Sequence, residues 1–115
     1  MIEIMGIKIL VVSRNIAMWD YSDINKVCTY EYIGYIDDAL LWERNRLKPK
    51  NVIQFYYIGI GFFSVFNIKQ VRVLKEEIKI LDGLNIVHKT VLDMIKDGIE
   101  KALQNNSLYL KFEDD

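Results

Sequence analysis

Twelve of the fourteen aromatic residues lie between Trp19 and Phe66, leaving only Tyr109 and Phe112 outside that stretch. This asymmetry constrains the fold more than any single motif. The first half is dense in β-branched and aromatic strand formers, and the second half carries Lys, Glu, Leu and Ile at helical spacing, the pattern of a sheet covered by helices. With 115 residues and 51% apolar content, the chain is long enough for one core and too apolar for disorder. The expectation is a single α+β domain over residues 1–115, with a mainly antiparallel sheet of about four to five strands covered by about two to three helices.

Local patterns place the elements. GIKILVVS, 6–13, is apolar on both sides after its first positions and reads as a central strand. The polar stretch 14–25 reads as a connection. KVCTYEYIGYI, 26–36, reads as a strand with Val27, Thr29, Glu31, Ile33 and Tyr35 on one face and Cys28, Tyr30, Tyr32, Gly34 and Ile36 on the other. A helix is expected over 37–49. Asp37 would cap it, Asp38 would meet the positive end of its dipole, Arg44, Arg46 and Lys48 the other end, and Pro49 would stop it. NVIQFYYIGI, 51–60, alternates as a further strand.

In 62–82, Val71, Leu74, Ile78 and Leu81 form a helical stripe that Gly83 would end, while VRVL and IKIL around KEE also fit a hairpin; the stripe favours the helix. Asn85 or Thr90 would cap a further helix reaching about Gln104. Its apolar face would hold Val87, Val91, Met94 or Ile95, Ala102 and Leu103, with Gly98 a weak point. SLYLKF, 107–112, reads as a final strand with Leu108, Leu110 and Phe112 inward and a frayed acidic end, Glu113 to Asp115.

The chemistry available is sparse. One Cys rules out an internal disulfide and a Cys-based structural zinc site, and one His leaves little for nucleophile–base catalysis. His88 reads as a surface residue near a helix start rather than a base, Cys28 as a small core residue, and Glu76 and Glu77 as a solvated helix face or a hairpin turn. Asp37 and Asp38 lack a second cluster at ligand spacing, so capping accounts for them without a metal. IGIGFF, 58–63, lacks the third glycine, the Lys and the Ser or Thr of a phosphate loop. Basic and acidic residues number seven and seven in 1–50, then eight and nine in 51–115, and the aromatics are not interleaved with cations. That argues against a nucleic-acid groove. Neither a catalytic residue, a metal nor a cofactor is implied, and the chain reads as a non-enzyme.

One group is not obviously needed by a core. MWDYSD, 18–23, sets Trp19, Asp20, Tyr21 and Asp23 in a polar connection, where aromatic anchors ringed by carboxylates would suit a basic protein partner. The competing account has Trp19 and Tyr21 plugging one end of the core while Asp20 and Asp23 cap a turn. Asp37 and Asp38 join the candidate surface if loop and helix start lie at the same end of the sheet.

IGIGFFSVF, 58–66, followed by the Lys/Glu/Leu-rich helical half, is similar to a glycine, paired-Phe, Ser, Phe signature in small immunity proteins. These are encoded beside bacterial polymorphic toxins, including contact-dependent growth inhibition systems. The resemblance covers roughly a third of the chain. It implies a bacterial protein that neutralises a cognate toxin C-terminal domain, often a nuclease, by stoichiometric binding, with Trp19, Asp20, Tyr21, Asp23, Asp37 and Asp38 as the contact candidates.

Two other readings stay open: a structural or regulatory module that forms a homodimer through its aromatic-rich sheet, and a small enzyme or ligand-binding domain with a pocket around His88 or the carboxylates. The first residues lack a basic n-region and a small-residue cleavage site, and the most apolar run, 52–66, is too short for a membrane span. A cytoplasmic location is therefore expected, with Cys28 unpaired in a reducing compartment and no direct membrane or nucleic-acid contact.

Overall fold

A computed structural model describes residues 6–13, 30–37, 49–58, 63–106 and 108–114. Expectations for the connection 14–25, for Cys28 and for the helix beyond Asp37 lie outside the described residues. Four strands are described: β1 (Gly6–Ser13), β2 (Tyr30–Asp37), β3 (Phe63–Phe66) and β4 (Leu108–Asp114). They pair antiparallel in the order β2-β1-β4-β3. Two helices, α1 (Ile68–Leu84) and α2 (Lys89–Ala102), pack on one face of the sheet, α1 against β3 and β4 and α2 against β1, β2 and β4. This is the α+β class expected from the residue pattern.

β1 is central, as its two apolar faces require. Ile7, Ile9 and Val11 enter the core under the helices, while Leu10 and Val12 are buried on the opposite face. In β2 the expected alternation breaks. Ile9 pairs with Gly34 but Leu10 pairs with Tyr32, so Ile33 is an extra, bulged residue. The bulge puts Glu31, Ile33, Gly34 and Ile36 on the helix side and leaves Tyr32 and Tyr35 on the other, correcting the simple two-face assignment. Its consequences are visible at α2: Glu31 lies 3.5 Å from Lys101, and a Cβ on Gly34 would sit 2.9 Å from Met94 Sδ.

The ambiguous stretch after Phe62 divides into a short strand, Phe63–Phe66, and a helix. Asn67 starts α1 with a reciprocal capping box: its Oδ1 accepts from the Gln70 amide at 2.9 Å, and Gln70 Oε1 accepts from the Asn67 amide at 2.9 Å. Val71, Leu74, Ile78 and Leu81 are all buried, as the stripe demands. The helix does not stop at Gly83. It continues to Leu84 and ends where Asn85 turns left-handed at φ 54°, a conformation Asn tolerates. α2 begins after His88, one residue beyond the short Asn85–Val87 link, so neither Asn85 nor Thr90 is its cap. Gly98 is a packing contact: a Cβ there would lie 2.9 Å from Leu110 Cδ1 and 3.1 Å from Ile9 Cγ2. Its missing side chain lets the helix approach the centre of the sheet.

Leu110 and Phe112 point into the core as expected, and Phe112 meets Phe66 edge-to-face with ring centroids 5.5 Å apart. Within the acidic end, Glu113 and Asp114 are not frayed, and Asp115 lies outside the described residues. Glu113 pairs in register with both Lys8 and Phe63, and Asp114 with Ile7, because β4 has a strand on each side.

Candidate functional site: the 3-10 turn and the α1 flank

Where a strand was expected over 51–60, the described residues 51–58 instead follow a turn at Pro49–Val52 into a 3-10 helix, Gln54–Tyr57; 59–60 lie outside the described residues. A strand needs partners for its amides along a neighbouring chain, and here a single side chain supplies them. The Glu77 carboxylate accepts the amide hydrogens of Ile53 at 2.7 Å and Gln54 at 3.0 Å through Oε2, and of Phe55 at 2.8 Å through Oε1. Three converging backbone donors form a small anion nest, and the negative charge sits at the positive end of the short helix. Glu77 is 3% exposed, which corrects its assignment to a solvated face. Phe55 and Ile58 drop into the core beside it, and the Ser64 hydroxyl of β3 donates to the Tyr57 carbonyl, tying the far end of the turn to the sheet.

The turn holds two large apolar side chains in water, Ile53 at 58% exposure and Tyr57 at 53%. Val73 and Leu84 of α1 are also exposed, at 48% and 51%. They stand four residues before and seven after Glu77, so they share its flank of the helix, with the half-buried Ile80 between them. Of the five large apolar side chains exposed among the described residues, two thus share the Glu77 flank of α1 and two are carried by the turn that Glu77 holds; the fifth, Tyr32, is on β2.

The groove between α1 and α2, about 340 Å³, is lined by Lys75, Ile78, Lys79, Lys96, Ile99 and Glu100. Its cations are already matched: Lys75 with Glu100 at 3.5 Å, Lys79 with Glu76 at 3.1 Å and Lys96 with Asp82 at 3.4 Å. On the other side of the sheet Lys111 is buried opposite Leu10, with Nζ 3.8 Å from Glu113 Oε1. Burial pushes its pKa below the ordinary lysine value, and the Glu113 carboxylate opposes that shift. At 2% exposure the amine is closed to a solute. Among the described residues no three His, Cys, Asp or Glu side chains are grouped to hold a metal ion, and no helix is long and apolar enough to cross a membrane.

Of the six expected contact residues, Asp37 alone is described: it ends β2 and is exposed at that edge of the sheet. Trp19, Asp20, Tyr21, Asp23 and Asp38 lie outside the described residues. His88 is exposed at the start of α2, and its side chain makes no capping hydrogen bond. The α1 flank was missed because the alternating pattern of 51–60 buries every second residue in a strand. A detectable signal was Glu77 itself, a carboxylate at the margin of the Val71, Leu74, Ile78 and Leu81 stripe.

Described residues and surface together define an α+β domain with an apolar patch displayed on its helical layer. No family model, curated protein or solved structure matches the chain.

Proposed function

We propose that the chain is an immunity protein that binds a cognate bacterial toxin domain, in the first instance a nuclease, and neutralises it stoichiometrically without chemistry of its own. The observation that supports this reading most is the exposure of Val73 and Leu84 on the Glu77 flank of α1 and of Ile53 and Tyr57 on the turn that Glu77 holds, because apolar side chains clustered in water are the mark of a protein-binding face. The glycine, paired-Phe, Ser, Phe pattern at 58–66 adds the toxin–immunity context. The test is to purify the chain with the toxin domain encoded by its neighbouring gene and measure binding and residual toxin activity against the molar ratio. Neutralisation complete at a fixed ratio is expected; a domain that neither binds nor loses activity refutes the reading.

Exposed Tyr32 on β2 favours a second reading, a homodimer formed through the aromatic-rich sheet. Light scattering on the isolated chain separates the two: that reading requires a dimer without any heterologous protein.

A further inference from the structure

We infer that the α1 flank carrying the 3-10 turn is the docking surface, and that it receives a protein face with an apolar centre and an acidic rim; this rests on the immunity reading above. Helix geometry makes the surface continuous. Val73, Ile80 and Leu84 lie on the Glu77 flank over about 16 Å of helix, and the three amides bound by Glu77 seat Ile53 and Tyr57 beside its middle. The opposite flank of α1 faces α2, where Lys75 and Asp82 reach their partners, so the patch looks outward. The clamp also holds the turn before any partner arrives, which lowers the ordering cost of binding.

The charges around the patch select the occupant. Lys69 stands one turn before Val73, Arg72 stands next to Val73, and Lys50 lies three residues before Ile53; none forms an ion pair or side-chain hydrogen bond among the described residues. The nearby carboxylate, Glu76, is engaged by Lys79 at 3.1 Å. Among the described residues the rim is therefore basic. A second copy docked by two-fold symmetry would set this rim against itself, whereas a partner with carboxylates around an apolar centre would match both parts. The toxin face engaged here is then distinct from a basic substrate groove. The surface also lies at the α1 and β3 side of the domain, away from Asp37 at the β2 edge.

Calorimetry with the purified toxin domain from the neighbouring gene tests the assignment, with unfolding midpoints recorded for each variant. Tyr57→Ser and Val73→Asn are expected to weaken binding about tenfold or more with unfolding little changed. Lys69→Glu combined with Arg72→Glu is expected to slow association, most strongly at low salt, and Asp37→Lys to leave affinity unchanged. Unchanged affinity in the patch variants, with a loss in Asp37→Lys, overturns the surface and leaves the immunity reading standing. Faster or tighter binding by the charge-reversed variant overturns the acidic rim. A self-dimer abolished by Tyr57→Ser overturns the heterologous occupant, and failure of the wild-type chain to bind overturns surface and function together.

Discussion

Replacing Glu77 should release the 3-10 turn, and the size of the loss follows from its three hydrogen bonds. In Glu77→Ala the Phe55 amide, whose bond is buried, keeps no acceptor, at about 2 kcal/mol; the part-buried Ile53 and Gln54 amides can find water and lose about 0.5–1 kcal/mol each. The sum is about 3–4 kcal/mol. Glu77→Gln is the sharper variant, because it preserves shape. The amide has one oxygen, so either the Oε2 pair of amides or the Oε1 amide must face an NH2 donor, at about 1.5–2 kcal/mol. For a domain of this size these losses lower Tm by about 12–16 °C and about 6–8 °C. Urea unfolding followed by circular dichroism gives the free energies, and amide hydrogen exchange at residues 53, 54 and 55 reports the turn directly. If both variants unfold within about 0.5 kcal/mol of the parent and those amides stay protected, the clamp does not hold the turn.

Gly98→Ala should destabilise by about 1 kcal/mol despite better helix propensity, because Leu110 and Ile9 crowd the added methyl; exposed Gly83→Ala, with open space around it, should stabilise by up to about 1 kcal/mol in the same urea titration. Asn67→Ala removes the capping box of α1 and should cost about 1 kcal/mol, with amide exchange in residues 68–71 accelerated before that of the helix centre. Lys111 binds its proton less tightly folded than unfolded, so its penalty fades as pH rises towards the ordinary lysine value. Lys111→Met should therefore raise the urea midpoint more at pH ~7 than at pH ~10, and an equal gain at both would show that burial of the charge is not the cause.

Legibility followed the range of the forces. β1 could be read because burial on both faces leaves an apolar residue at nearly every position, and α1 because Val71, Leu74, Ile78 and Leu81 repeat with the helix itself. Asn67 and Gln70 stand three apart before an apolar run, a start signal present in the residues although the stripe alone drew attention to the helix. The 3-10 turn was not legible. Its amides are satisfied by a side chain more than twenty residues away, and without that acceptor Val52, Gln54, Tyr56 and Ile58 alternate like a strand. Ile33 offers no local sign of its bulge, which arises from the pairing of β2 with β1. The exposed patch was hidden for the same reason as the turn, since Ile53 and Tyr57 become outward-facing only once Glu77 has captured the backbone between them.

The position of β4 bears on how the protein is made. Ile7 pairs with Asp114, so a ribosome must release the hundred or so residues between them before the middle of the sheet can close. Until residues 108–114 emerge, β1 and β3 each present a bare edge. At ordinary synthesis rates that interval lasts about 5–20 s for β1 and about 2–10 s for β3, long enough for strand edges to meet chaperones or one another. Removing this segment would take away the seam between β1 and β3, and a nascent chain stalled just short of it should be far more prone to aggregate than one that includes it.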